Sequence, residues 1–129
     1  MGKILVIDDE KATLSMFRLF LDAYGYTVYT AENGTEGLAI FKKEKPEIVL
    51  TDIKMPGIDG LAVLQQIKEI EPDTAVIVIT GHGDTALAEQ AINLDAVDFI
   101  NKPIKKEALD AALGKAKKKL RAAKSGESS

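Results

Sequence analysis

Five short apolar runs alternate strictly with five stretches of helical period, and nothing else in this sequence restricts its fold so much. The runs are Lys3–Ile7, Tyr26–Thr30, Ile48–Asp52, Ala75–Thr80 and Ala96–Ile100. The first and fourth are almost continuously apolar, as strands covered on both faces of a sheet are. The second, Tyr26-Thr27-Val28-Tyr29-Thr30, is rich in β-formers but of mixed polarity, which suits an edge. Between the runs, Leu14, Phe17, Leu21 and Tyr24 recur at helical spacing, and Gly25 stops that helix. The acidic Asp8-Asp9-Glu10 at its start suits the helix dipole. Asn33-Gly34 makes a turn, and Thr35 is expected to cap a helix to about Lys43. Leu61, Leu64, Ile67 and Lys68 outline a helix that ends before Pro72. Asp84 is expected to cap a helix to about Leu94, and Leu109, Leu113, Ala116 and Leu120 mark a last one.

Strict alternation of this kind calls for a parallel sheet with right-handed crossovers and helices on both faces. The expected fold class is therefore α/β, a flavodoxin-like (βα)5 doubly wound sheet of strand order 2-1-3-4-5. In that order the topological switch point lies between the first and third strands. Those are two strands that run into aspartates.

Composition narrows the function classes. A chain of 129 residues has the length of one domain. It has no cysteine, so disulfides and thiolate metal sites are excluded, which fits a reducing compartment. No apolar run approaches the roughly 18 residues of a membrane span. Met1-Gly2-Lys3 leads straight into the first strand, so no signal peptide is expected, and Val6 stands where myristoylation needs Ser or Thr. A cytoplasmic protein is the expectation. The net charge of −3 hides an asymmetry: residues 115–129 carry six basic and one acidic residue. We read this basic stretch as the solvated last turns of a helix rather than a nucleic-acid or membrane contact. Residues 1–121 are expected to form the domain, and 122–129 a flexible tail or the start of a linker.

The chemistry gathers at the strand ends. Strand one delivers Asp8 and Asp9, strand three Asp52, strand four Thr80, and the segment after strand five Lys102. Alone, Asp8 and Asp9 read equally well as helix caps. Three carboxylates in one crevice disfavour ionisation, so they take up protons or bind a cation. An all-oxygen set without His or Cys suits a hard ion, Mg2+ or Mn2+. A hydroxyl and an ammonium beside them suit phosphoryl oxygens, and a carboxylate can itself be the nucleophile that becomes an aspartyl phosphate.

These motifs resemble the receiver domain of two-component response regulators over residues 3–120. They are Ile7-Asp8-Asp9-Glu10, Thr51-Asp52-Ile53-Lys54-Met55-Pro56-Gly57 with Asp59-Gly60, Thr80-Gly81, and Asp98-Phe99-Ile100-Asn101-Lys102-Pro103. The resemblance implies that Asp52 is the phosphoacceptor, taking a phosphoryl group from a histidine kinase or phosphotransfer protein. It implies Mg2+ held by Asp9, by Asp8 through water, by Asp52 and by the backbone carbonyl of Lys54. Lys102 would bridge acceptor and phosphoryl group, Thr80 would hydrogen-bond a phosphoryl oxygen, and Phe99 would rotate inward behind it. The bond before Pro103 would be cis. Output to an attached domain, a downstream protein or a second copy would pass through residues 84–114, without direct nucleic-acid or membrane binding. Such a chain is a phosphoacceptor that assists its own phosphorylation and dephosphorylation, not an enzyme with a separate substrate.

Some positions depart from the family pattern. Gly81 stands where alanine is frequent, Phe99 lacks a tyrosine hydroxyl, and Asp95 occupies a usual glycine position, which its tolerance of a left-handed backbone accommodates. His82, the only histidine, reads as an exposed loop residue. Lys54 and His82 are expected to flank the phosphoryl group and tune its hydrolysis by controlling water access. Two rival readings remain at this point. A Mg2+-dependent phosphohydrolase would want a second acid two residues after its nucleophile, where Lys54 stands. A flavin or nucleotide binder would want a glycine-rich phosphate loop, and none is present.

Overall fold

Ile4, Leu5, Val6 and Ile7 are all fully buried, so the first strand has a helix layer on each side. The computed structural model describes residues 2–81 and 83–124. His82 and the serine-rich stretch 125–129, expected to fray, lie outside the described residues. Five strands, β1 (Lys3–Ile7), β2 (Thr27–Ala31), β3 (Ile48–Asp52), β4 (Ala75–Thr80) and β5 (Asp98–Asn101), form one sheet of order β2-β1-β3-β4-β5. Every pairing is parallel. The expected fold class is the observed one.

Side chains alternate between two cores. Ile4, Val6, Ile48, Leu50, Ile77 and Ile79 pack against Phe17 and Leu21 of α1 (Lys11–Ala23) and Leu109 and Leu113 of α5 (Lys106–Lys124). Leu5, Ile7, Val49, Val76 and Val78 pack against α2 (Gly34–Glu44), α3 (Gly60–Ile70) and α4 (Thr85–Asn93). Each fully buried aliphatic side chain contributes about 1.5–3 kcal/mol of transfer free energy. That sum holds the central strands rigid up to their carboxyl ends.

Two helices end in the same way. Gly25 takes φ 94°, with its own N–H donating to Asp22 and that of Tyr26 to Leu21. Asp95 takes φ 75°, with its N–H donating to Ile92 and that of Ala96 to Ala91. Both are left-handed closures that satisfy the last helical carbonyls. The aspartate accommodates the left-handed backbone as expected.

Four local expectations are corrected. Asn33, not Thr35, caps α2: its side chain accepts the Glu36 N–H at 2.8 Å. Thr35 falls inside the helix because Gly34 already begins it. Asp84 sits at the N-cap position of α4 but its side chain accepts no hydrogen bond from that helix; it turns back to the preceding loop. The first turn of α1 contains no acidic residue: Glu10 stands at the N-cap position, its carboxylate shared between the Thr13 hydroxyl and Lys102, and Asp8 lies before the helix. Finally, β2 and β5 begin one and two residues later than their apolar runs, because Tyr26, Ala96 and Val97 are occupied in closing the preceding helices or entering the ladder.

Candidate functional site

The register brings the expected residues to one edge. Ile7 pairs with Thr51, Asp52 with Ile79, and Thr80 with Asn101, so Asp8, Asp52, Thr80 and Lys102 all emerge at the carboxyl end of the sheet. Backbone bonds extend the ladders past these ends: Asp8 N–H donates to Ala31 at 3.1 Å and Lys102 N–H to Thr80 at 2.8 Å. The chain must leave Asp52 abruptly. Gly57 makes this turn at φ 79°, and Gly60 starts α3 directly against the strand end. A Cβ on Gly60 would lie 2.2 Å from the Asp52 carbonyl oxygen, so no larger residue fits. Asp59 caps α3 by accepting the Ala62 N–H at 2.9 Å. Asp52 is therefore fixed from both sides.

One carboxylate oxygen from each of Asp8, Asp9 and Asp52 lies within 4.8 Å of the others. Asp8 is fully buried and Asp52 only 6% exposed, whereas Asp9 is exposed. The Lys102 ammonium lies 3.2 Å from Asp8, 3.4 Å from Asp52 and 2.9 Å from Glu10. Asp8 Oδ1 accepts the Glu10 N–H at 2.8 Å, while its buried Oδ2 accepts no hydrogen bond despite the nearby ammonium. The ammonium offsets part of the cost of burying this oxygen, but without hydrogen-bond geometry it leaves acceptor capacity that a further cation would use. The donor set, all carboxylate oxygen, fits a hard divalent ion.

Electrostatics agree with crowding. Burial first, and then the charge of Asp8, push the Asp52 carboxyl up from 3.8 to about 6, against the pull of Lys102. Burial also raises Asp8, in spite of the Glu10 N–H and Lys102. Burial works against the Lys102 ammonium, but the Glu10 hydrogen bond and the charges of Asp52 and Asp8 more than offset it and hold its proton well above the usual lysine range. The lysine stays charged at any working pH.

The remaining expected residues are distributed around this cluster. Thr80 is buried, but its hydroxyl faces β5, donating to the side-chain oxygen of Asn101 and lying 3.5 Å from the Ile100 carbonyl. Phe99 is 38% exposed, so its ring stands outward. The Lys102–Pro103 peptide is cis. Lys54 reaches across to Asp84 at 2.9 Å, and Asp84 also accepts the Gly81 N–H at 3.0 Å. The Lys54 bond and then the Gly81 N–H hold the Asp84 carboxyl below its ordinary value. The pairings made by Glu10, Asp84 and Asn101 are not legible in the sequence. Their partners lie 92, 30 and 21 residues away, and no local pattern announces such pairs. A groove of about 510 Å3 lined by Phe41, Pro46, Ile70 and Leu120 is remote from this cluster, being built from the ends of α2 and α3, the loops that lead into β3 and β4, and the last turns of α5.

Comparison with known proteins agrees with this geometry. The family model described as response regulator receiver domain matches residues 4–114. The transcriptional regulatory protein GlrR of Escherichia coli (strain K12) is 36% identical over 110 residues, covering 85% of this chain and 25% of its own length. The C4-dicarboxylate transport transcriptional regulatory protein DctD of Rhizobium meliloti (strain 1021) is 38% identical over 118 residues, covering 92% and 26%. A crystal structure of a response regulator receiver domain protein from Clostridium thermocellum superposes with a TM-score of 0.85 at 38% identity, covering 96% of this chain and 98% of that one. The chain spans about a quarter of the length of these two curated relatives. With the matched model covering nearly all of its strands and helices and the acidic crevice at its switch point, this chain belongs to the response regulator receiver domain family.

Proposed function

We propose that Asp52 is the phosphoacceptor of this receiver domain. The observation that carries the reading is the convergence of the Asp8, Asp9 and Asp52 carboxylates within 4.8 Å of one another, beside the ammonium of Lys102. Asp8, Asp9, Asp52 and the backbone carbonyl of Lys54 would hold Mg2+, or Mn2+ by the same oxygen chemistry. When bound, the ion supplies charge neutralisation for the phosphoryl oxygens.

A carboxylate oxygen of Asp52 attacks the phosphorus of a phosphohistidine on a sensor kinase or phosphotransfer protein. The P–N bond breaks as the P–O bond forms, and the imidazole leaves with the electron pair and takes up a proton. Burial favours this step, because a poorly solvated carboxylate sheds little water before attack. Lys102 faces the growing charge as a point cation. Thr80, whose hydroxyl faces Asn101 at rest, turns to a phosphoryl oxygen. Phe99, outward at rest, fills the space left behind. The surface over residues 84–114 thereby shifts between two packings and carries the signal.

The receiver unit is taken as residues 1–121, although α5 itself continues to Lys124, so residues 122–124 are helix rather than the expected flexible tail. GlrR and DctD are named as transcriptional regulators, and this chain aligns with about a quarter of each. That supports an output domain or downstream protein as the partner of the 84–114 surface, with a second copy of the chain as the other candidate. Among the described residues no helix is long and apolar enough to cross a membrane. The chain assists its own phosphorylation and dephosphorylation and turns over no separate substrate. Incubation with acetyl phosphate and Mg2+, followed by intact mass, tests the reading. A single phosphoryl group, gained and slowly lost, is the expected result. Continuous hydrolysis of the donor, or no modification, would contradict it.

A further inference from the structure

We propose that Asn101 is a positioning residue that holds the Thr80 hydroxyl in its resting place, so that phosphoryl binding must first break this bond. The inference rests on Thr80 acting as the residue that contacts the phosphoryl group. Thr80 and Asn101 are register partners across β4 and β5, and partners in a parallel ladder project to the same face. Phe99, two residues before Asn101, projects to that face as well. All three parts of the switch therefore share one strip of the sheet.

The hydroxyl of Thr80 is buried and has one proton to donate. At rest that proton goes to the Asn101 side-chain oxygen. Donation to Asn101 and donation to a phosphoryl oxygen on Asp52 are mutually exclusive. The contact is thus a competitor for the activating one, built from a residue that touches neither metal nor phosphoryl group. Asn101 is itself exposed, so its released amide is taken over by water. This makes the restraint weak enough to be reversible. With alanine or another apolar residue at 101, the buried hydroxyl would keep only the 3.5 Å approach to the Ile100 carbonyl.

The test is a beryllofluoride titration at saturating Mg2+ of six proteins: the wild type, Thr80→Val and Thr80→Ser, each with and without Asn101→Ala. Beryllofluoride stands in for the phosphoryl group, and binding is followed by the amide NMR signals of β4 and β5. Removing a net hydrogen bond from the resting state should raise the apparent affinity of Asn101→Ala by about 2- to 10-fold over wild type. In the Thr80→Val background Asn101→Ala should change nothing, whereas in a Thr80→Ser background, which retains the hydroxyl, the gain should return. An unchanged or weaker affinity of Asn101→Ala, or an equal gain with and without the hydroxyl, would overturn the inference. Absence of beryllofluoride binding by the wild type would overturn the phosphoacceptor reading, and this inference with it.

Discussion

The ammonium of Lys54 lies 2.9 Å from the carboxylate of Asp84, tying the segment after β3 to the start of α4. Lys54 is exposed while Asp84 is buried and also holds the Gly81 N–H. A Cβ on Gly81 would sit 3.3 Å from that carboxylate, so glycine here leaves Asp84 room to turn inward. The pair links the two loops through which water would reach a phosphoryl group on Asp52. Lys54→Ala should leave the fold intact and shorten the aspartyl-phosphate lifetime by roughly 2- to 5-fold, the kinetic equivalent of a partly exposed ion pair. Phosphate release after removal of the donor measures it, and an unchanged lifetime would sink the gating role.

The elevated carboxyl of Asp52 has a consequence for stability. A group raised from 3.8 to about 6 binds its proton more tightly folded than unfolded. Its contribution is therefore greatest at acidic pH and is lost as pH rises through about 6. Asp52→Asn removes this loss. In metal-free buffer at pH 7 the variant should be more stable than the wild type, by at most about 3 kcal/mol. The advantage should shrink between pH 6 and pH 4. Thermal denaturation across that range checks both, and a variant less stable than wild type at pH 7 would contradict the burial argument. Added Mg2+ should reverse the order, because it binds the ionised crevice.

The architecture and most of the site are legible in the residues alone. Five apolar runs allow little but a doubly wound sheet, and once the strand order follows, Asp8, Asp52, Thr80 and Lys102 have to meet at its carboxyl edge. Asp95 could be read because it stands at a usual glycine position of the family and an aspartate tolerates the left-handed backbone found there. What stayed hidden depends on side-chain direction. Asn33 and Thr35 are both good caps, and the choice was made by where Gly34 packs against Ile58 and Val63. Asp84 reads as a cap, yet the stronger attraction of Lys54 and the Gly81 N–H turns it away from its helix. Asn101 lies just past its apolar run, and its bond to Thr80 exists because β5 extends through it and pairs it with Thr80.

Gly60 offers a purely steric test of how Asp52 is held. A methyl group there meets backbone on β3, which cannot rotate aside as a side chain would. Overpacking of this kind costs about 1–3 kcal/mol, so Gly60→Ala should lower Tm by roughly 5–10 °C. The displaced strand end should also slow phosphorylation. A variant with wild-type Tm and labelling rate would show that α3 can withdraw from β3 freely.

The most direct test of the account is site-specific. Wild type and Asp52→Asn are each incubated with acetyl phosphate and Mg2+, and intact mass is read with time. The wild type should gain one phosphoryl group, and Asp52→Asn none while remaining folded. Labelling of Asp52→Asn to the wild-type extent would contradict the assignment of Asp52 as the phosphoacceptor.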